Sequence, residues 1–131
     1  MDTYPADATV VITTKDRKEE LRTAVRSAID QTADPEVLVL DDGSSDGTAE
    51  MIQKEFPEVR LHRKEESAGL IVRRNQAARL AKEDIIFSID DDAEFSTKHV
   101  VEQTLADFDH ERVGAVAIPY ADVNKSPKTR H

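Results

Sequence analysis

The sequence predicts an α/β domain in which a mainly parallel β-sheet carries helices on both faces. Short apolar or β-branched segments alternate four times with segments of helical periodicity, which is the pattern of repeated strand–helix units. The segments predicted as strands are apolar on both faces, as buried parallel strands are. The 131 residues suit a single domain, and we expect a core over 8–120 followed by a polar tail over 121–131.

The first half of the chain predicts two strand–helix units. Residues 8–14 (ATVVITT) are rich in β-branched side chains and predict a strand, and residues 17–31 repeat apolar side chains at helical spacing. Residues 36–40 (EVLVL) predict a second strand, which ends where a polar turn begins. Asp46 is well placed to cap the next helix, which we expect to run to Phe56.

The second half of the chain continues the alternation. The same criteria predict strands over 59–62, 84–89 and 113–118, and helices over 68–82 and 96–108. Ser96 is expected to cap the last of these helices. Right-handed crossovers through successive helices would place helices on both faces of one sheet.

Composition and charge exclude several classes of function. The chain holds 18 basic and 27 acidic residues, a net charge of −9, and so acidic a domain repels nucleic acid and anionic membranes. It has no cysteine, which excludes a disulfide scaffold, thiolate zinc sites and thiol catalysis. Residues 1–8 lack the basic start and apolar stretch of a signal peptide, and no apolar run is long enough to span a membrane. We therefore expect a cytoplasmic protein, with peripheral association with the inner membrane left open.

Polar clusters follow the predicted first, second and fourth strands at the point where each strand ends. These clusters are 13–17 (TTKDR), 41–43 (DDG) and 90–92 (DDD). Ligands of open α/β sheets bind beside the carboxyl ends of the strands. The three clusters therefore predict a binding site at one edge of the sheet.

The three adjacent carboxylates at 90–92 predict a metal site at that edge. They repel one another unless a cation lies among them, and oxygen-only ligands favour Mg²⁺ or Mn²⁺. Because side chains alternate along an extended segment, Asp90 and Asp92 could share one face. The alternative is a solvated acidic turn in which one aspartate caps a helix.

Two further features are compatible with an anionic or nucleotide ligand. Asp42, in the turn 41–48, could accept hydrogen bonds from a nucleobase or ribose, although Asp and Ser in such a turn also cap the following helix. Arg73 and Arg74 open the third predicted helix, and their planar guanidinium groups suit a phosphate. The alternative is that both arginines are simply solvated.

Taken together, the segments 10–17, 39–48, 69–75 and 86–92 resemble glycosyltransferase family 2 in their order and spacing. The resemblance covers residues 8–120, nearly the whole chain. It implies a GT-A fold and a nucleoside-diphosphate-sugar donor bound through Mn²⁺ or Mg²⁺. It also implies transfer of the sugar to a hydroxyl of a saccharide or lipid-linked acceptor, with inversion at the anomeric carbon.

The resemblance further implies roles for particular residues. Thr13 would lie beside the nucleoside, Asp42 would contact the base, and Arg74 rather than Arg73 would approach the diphosphate. Asp92, together with Asp90, would bind the metal. The implied nucleotide-sugar-binding residues are Thr13, Thr14, Lys15, Arg17, Asp41, Asp42, Gly43, Arg74, Asp90 and Asp91. Lys15 replaces the aromatic residue that the family often has there, so stacking on the base is not expected.

Only residues 93–131 follow the acidic segment, whereas the resemblance places the catalytic base in an acceptor-binding half well beyond it. The acidic segment 90–92 corresponds to the D-x-D element of the family. We therefore expect a GT-A fold truncated after the half that contains this element, which binds a metal–nucleotide complex with little or no transfer of the sugar. One alternative is a non-catalytic nucleotide-binding or assembly module, whose uncovered sheet edge would favour self-association. The other is a receiver-type phosphoacceptor domain, although the segment 118–120 lacks the lysine that follows the fifth strand of that class.

Overall fold

The structure, a computed structural model, describes residues 8–83, 85–106 and 121–122. Within those residues the chain alternates strands and helices, as the sequence predicts. In chain order the elements are β1 (Ala8–Thr14), α1 (Lys18–Ile29), β2 (Glu36–Asp42), α2 (Thr48–Glu55), β3 (Arg60–Lys64), α3 (Leu70–Leu80), β4 (Ile85–Asp90), β5 (Ala93–Glu94), α4 (Val100–Ala106) and β6 (Ala121–Asp122). None of the helices in this part of the chain is long and apolar enough to cross a membrane.

Strands β1 to β4 form one parallel sheet in the order β3-β2-β1-β4. The central strand, β1, pairs on one side with β2 and on the other with β4, and every one of its seven residues is buried. In this register Thr13 lies opposite Leu40 of β2 and Asp90 of β4. The three strands therefore end at the same edge, which confirms the predicted parallel sheet and its polar edge.

Helices cover both faces of the sheet. Helices α1, α2 and α4 contribute to the larger apolar core, together with side chains from one face of the strands. Their buried members are Leu21, Ala24, Val25, Ala28, Met51, Ile52, Val101 and Leu105. Helix α3 packs on the opposite face, where Ala77 joins Val11, Leu38 and Leu40 in a smaller core. Parallel strands buried on both sides explain why β1 and β2 are apolar without alternation.

The last helix differs from the prediction. It begins at Val100, so the prediction that Ser96 caps a helix starting there is wrong. The side chain of Gln31, at the end of α1, instead fixes this region through tertiary contacts. Its Nε2 donates to the carbonyl of Thr97, and its Oε1 accepts a hydrogen bond of 2.9 Å from the amide of Val101. A contact over such a sequence separation leaves no local signal at Ser96.

The structure also shows a pair of short strands that the sequence did not predict. Strands β5 and β6 pair antiparallel, with Ala93 opposite Asp122. Strand β6 thus lies at the start of the segment that the sequence predicted as a polar tail. The predicted fifth strand, 113–118, lies outside the described residues.

Asp46 joins the start of α1 to the start of α2. Its Oδ2 accepts a hydrogen bond of 3.0 Å from the amide of Lys18, and its Oδ1 accepts one of 3.1 Å from the amide of Thr48. The first amides of a helix have no partner within the helix, so one carboxylate satisfies both helices. Burial opposes ionisation of Asp46, but the hydrogen bonds from the Thr48 hydroxyl and from the amides of Lys18 and Thr48 outweigh burial and lower the pKa of Asp46. Gly47, and not Asp46 as predicted, is the N-cap residue of α2, but Asp46 satisfies the first amide of α2 and that of α1.

We predict that Asp46→Ala lowers the free energy of unfolding by about 1–2 kcal/mol, because both helices lose a capping bond. Urea denaturation at pH 7 measures the change. Glu58→Ala is the control, because it removes an exposed acidic side chain of the same chain. Equal losses in the two variants would contradict the capping role.

Candidate functional site

The candidate site is the edge of the sheet where β1, β2 and β4 end. From β1 the chain continues to β2 on one side, whereas β4 pairs with β1 on the other side. The strand order therefore reverses beside β1, and open α/β sheets bind their ligands at such a point. The predicted polar clusters 13–17, 41–43 and 90–92 all lie at this edge.

The acidic segment at the end of β4 presents its three carboxylates unequally. The side chains of Asp90 and Asp92 are 53% and 31% exposed, whereas that of Asp91 is 9% exposed. The hydroxyl of Thr14, at the end of β1, donates a hydrogen bond of 2.9 Å to Asp91 Oδ2. The inner carboxylate is thus held by the fold, and the two outer carboxylates face the solvent.

Two arginines approach these carboxylates. Arg17 Nη1 lies 3.6 Å from Asp92 Oδ2, and Arg17 Nε lies 3.8 Å from Asp91 Oδ1. Arg74 Nη2 lies 3.9 Å from Asp90 Oδ1. Burial raises the pKa of Asp91, and the charges of Asp92 and Asp90 add to that effect, while Thr14 and Arg17 oppose it. The cations that offset the repulsion in this structure are therefore arginines.

The acidic residues of this edge fit a divalent cation only as a small set of ligands. Among the described residues, no group of three or more His, Cys, Asp or Glu side chains is arranged to hold a metal ion. Mg²⁺ and similar ions are commonly held by one or two carboxylates and completed by water and substrate phosphates. Asp92 and Asp90, as solvent-facing carboxylates on one short segment, fit that smaller donor set. The residues present therefore suit a metal that arrives with a phosphate ligand.

The predicted residues at the end of β1 lie at this edge but differ in exposure. Thr13 and Thr14 are buried, and Lys15 is exposed. The turn after β1 is joined to the turn after β2, because Ser44 Oγ accepts a bond from the amide of Asp16 and Asp16 Oδ1 accepts one from the amide of Ser45. The two turns therefore form one unit.

Asp42, the last residue of β2, is committed to contacts within the chain. Its side chain is 3% exposed; Oδ1 accepts hydrogen bonds from the amide of Ala68 and from Arg73 Nε, and Oδ2 accepts one from the amide of Gly69. Burial opposes its ionisation, but the two amides and Arg73 outweigh burial and lower the pKa of Asp42. A base that contacted this carboxylate would have to compete with these bonds.

Arg73 is a functional candidate whose setting the sequence did not reveal. Its side chain is 5% exposed and, besides Asp42, contacts Gln76 Oε1 at 2.9 Å and the carbonyl of Glu66 at 2.6 Å. The alternative of two solvated arginines is therefore wrong for Arg73. The sequence held one signal for the burial of Arg73. Residues four positions apart lie on the same face of a helix, and Arg73 precedes the buried Ala77 by four residues. Arg74, in contrast, is exposed at the edge, where the sequence placed an arginine.

Asp41 holds the turn that follows β2. It is fully buried; Oδ1 accepts a bond from the amide of Ser44, and Oδ2 lies 3.3 Å from Arg63 Nε. Arg63 lies opposite Asp41 in the β2–β3 register, a pairing that the sequence alone does not show. Its Nη2 also donates to the carbonyl of Ser44. Asp41 therefore makes contacts that form the turn, which is the alternative to ligand contact given above for the segment 41–48.

Gly43 allows the turn to pack against the segment that precedes α3. Its φ is +81°, and a Cβ at this position would lie 2.7 Å from the carbonyl oxygen of Glu65 and 3.0 Å from Ser67 Oγ. Any larger residue would be strained by its backbone conformation and would also collide with backbone. Gly47 also has a positive φ, but its added Cβ would meet only Lys18, at 3.7 Å.

The fold and this edge define an α/β protein with an open parallel sheet and a polar ligand site at the strand ends. Within that class, the chain belongs to glycosyl transferase family 2, whose family model matches residues 9–131. The predicted family is confirmed, and the receiver-type alternative has no support. A curated relative, the uncharacterized glycosyltransferase YfnE of Bacillus subtilis (strain 168), is 39% identical over 90 residues. That alignment covers 65% of this chain but only 23% of the relative.

Solved structures share the fold. A mannosyltransferase from Pyrobaculum calidifontis, in complex with GDP-Man and Mn²⁺, gives a TM-score of 0.67 at 24% identity and covers 76% of this chain and 31% of its own. The S. aureus TarS 1–349 structure in complex with UDP gives 0.69 at 22% identity, with the same two shares. These neighbours confirm the predicted GT-A fold, and the chain spans about a third of their length.

We predict that Gly43→Ala destabilises the fold more than Gly47→Ala. Gly47→Ala should lower the free energy of unfolding by about 1–2 kcal/mol, because its strain comes from the positive φ alone. Gly43→Ala adds the collision with Glu65 and should cost more. Thermal and urea denaturation of both variants test this, and a smaller loss for Gly43→Ala would contradict the packing described.

We predict a pH-dependent contribution from Asp42. Its pKa is lowered from 3.8 on folding, so the ionised carboxylate stabilises the fold above the ordinary value. That stabilisation is lost as pH falls through the lowered pKa. Asp42→Asn should therefore cost about 3 kcal/mol or more at pH 7, because Arg73 is left buried and unpaired.

The difference in the free energy of unfolding between wild type and Asp42→Asn should narrow as the pH falls below 3.8, the ordinary pKa of this carboxyl group. Urea denaturation at pH 7 and across the acid range measures it, with Glu58→Gln as the exposed control. A gap that stays constant down to acid unfolding would contradict the role of the ionised carboxylate.

Proposed function

We propose that this chain is the donor-binding part of a family 2 glycosyltransferase, which binds a nucleoside-diphosphate sugar with Mn²⁺ or Mg²⁺ at the carboxyl edge of its sheet. The observation that supports this best is the arrangement around the end of β4. Two solvent-facing carboxylates, Asp90 and Asp92, lie beside two arginines, Arg17 and Arg74. Carboxylates for a cation and guanidinium groups for phosphates are the two chemistries that a metal-bound diphosphate requires.

The relatives support the same ligand class. The P. calidifontis neighbour carries GDP-Man and Mn²⁺, and the TarS structures carry UDP or UDP-GlcNAc. The ligands have different bases and sugars but share the nucleoside diphosphate. We therefore propose the diphosphate and the metal as the common features that this edge recognises.

The predicted residues divide into four groups under this proposal: those for the metal, for the diphosphate and for the nucleoside, and those that support them. Asp92, with Asp90, binds the metal; Arg74, Arg17 and Lys15 contact the diphosphate; and Thr13 lies beside the nucleoside. Thr14 holds Asp91 by its hydrogen bond of 2.9 Å, so that the outer carboxylates project from a fixed segment. Asp41 and Gly43 support the turn after β2. Charge stabilisation on the departing diphosphate is the chemistry that a bound divalent cation supplies.

The proposed reaction is transfer of the sugar to an acceptor hydroxyl of a saccharide or lipid-linked substrate, with inversion. The hydroxyl oxygen bonds to the anomeric carbon as the bond to the diphosphate breaks, and a general base takes the hydroxyl proton. We assign no base within this chain, which spans 23% of its curated relative. The chain alone is therefore proposed to bind the donor with little transfer.

We predict that the chain binds a nucleoside diphosphate only with a divalent cation. Calorimetric titration with UDP, GDP and dTDP, each with Mn²⁺ and with EDTA, measures this. Asp92→Asn should lower the affinity by about tenfold or more, because a charged ligand to the metal is lost. Glu58→Gln, an exposed change away from the edge, should leave it unaltered.

Two results would contradict a donor site at this edge of the sheet. A folded chain that binds none of the three nucleotides with Mn²⁺ has no donor site of its own. Binding that persists in EDTA and in Asp92→Asn would locate the site elsewhere. Either result would favour the alternative of an assembly module.

A further inference from the structure

The buried pair of Asp42 and Arg73 does more than neutralise two charges. Arg73 points its three nitrogen donors to three different partners: Nε to Asp42, Nη1 to Gln76 and Nη2 to the carbonyl of Glu66. These partners lie on β2, on α3 and on the segment before α3. A planar guanidinium can hold three such groups in fixed directions, which a lysine cannot.

Asp42 completes the same arrangement from the opposite side. Its carboxylate accepts the amides of Ala68 and Gly69, and its backbone carbonyl accepts a hydrogen bond of 2.7 Å from Ser67 Oγ. With the bond from Arg73 to Glu66, every residue of the segment 66–69 has a bond to Asp42 or Arg73. The start of α3 is therefore tied to the end of β2 through one buried ion pair.

We propose that Arg73 is a positioning residue for the donor site. Through Asp42 it clamps the segment 66–69 to the end of β2 and thereby holds Arg74 beside Asp90. Arg74 follows Arg73 directly on α3, and successive side chains of a helix point about 100° apart. Fixing Arg73 in the protein therefore fixes the direction in which Arg74 projects, 3.9 Å from Asp90.

This inference rests on the proposed function and gives Asp42 a different role from contact with the base. A carboxylate has about four positions that accept hydrogen bonds. Three of those of Asp42 are taken by Ala68, Gly69 and Arg73, and its side chain is 3% exposed. Under the clamp, removing Arg73 weakens ligand binding. If Asp42 instead contacted the base, removing Arg73 would free it and strengthen binding.

The test compares Arg73→Met, Arg73→Lys, Asp42→Asn and the double variant Arg73→Met/Asp42→Asn. The control is Arg79→Met, an exposed arginine on the same helix. Calorimetry measures the binding of UDP, GDP and pyrophosphate, each with Mn²⁺. Thermal denaturation confirms folding, and amide hydrogen exchange at Ala68 and Gly69 reports the clamp directly.

We expect Arg73→Met and Asp42→Asn each to lower the affinity for all three ligands by about tenfold or more, since Arg74 loses its fixed position. Pyrophosphate should be affected as much as the nucleotides, because it has no base. The double variant should be no worse than either single variant, and Arg73→Lys should restore part of the affinity. Exchange at Ala68 and Gly69 should be faster in Arg73→Met, with Arg79→Met unchanged throughout.

Three results would overturn the inference. One is tighter nucleotide binding by Arg73→Met, and another is a loss in Asp42→Asn that is confined to the nucleotides, because both indicate that Asp42 contacts the base. The third is unchanged amide exchange at Ala68 and Gly69, which would refute the clamp even if the wild-type chain bound no ligand and the proposed function had failed. If Arg73→Met does not fold, Arg73→Lys and Asp42→Asn decide the same question.

Discussion

The central position of β1 is the constraint on which the rest of the structure depends. This strand is buried along its whole length, and it fixes the register of β2 on one side and β4 on the other. That register brings Asp41 and Asp90 to the same edge, although they are far apart in sequence. The local turns orient individual side chains, but only the register of the sheet brings them together.

Burial divides the acidic residues of this edge into two groups. The buried carboxylates, Asp41, Asp42 and Asp91, each accept at least one hydrogen bond from the chain itself, because an unpaired buried charge is costly. The outer carboxylates, Asp90 and Asp92, are more exposed, and arginines approach them at 3.6–3.9 Å. The runs at 41–42 and 90–92 look equivalent residue by residue, yet the fold buries three of these five carboxylates and leaves the other two exposed to a ligand.

The sequence predicted the parts that depend on local patterns and missed those that depend on tertiary contacts. Apolar runs and the turns at their ends were enough for the parallel sheet and its polar edge, and four short motifs were enough for the family. Ser96 shows the limit, because α4 starts instead at Val100, and the amide of Val101 bonds to Gln31, a residue that follows α1 far away in sequence. Arg73 shows it too, since helical spacing places it on the same face as Ala77 but does not reveal that it pairs with Asp42, whereas its neighbour Arg74 is exposed.

Under the proposed function, a chain with a net charge of −9 has to bind an anionic diphosphate. The distances of 3.6–3.9 Å between the arginines and the outer carboxylates suggest how it would do so. Exposed ion pairs at such distances contribute little, so Arg17 and Arg74 lose little when they exchange partners. Under the proposed function, Asp90 and Asp92 would hold the divalent cation, and Arg17 and Arg74 would turn from these carboxylates toward the phosphates. Carboxylates and guanidinium groups that partner each other in the free chain then partner opposite ends of one ligand. Under this proposal, repulsion from the acidic surface would oppose the approach of the ligand more than its contacts within the site.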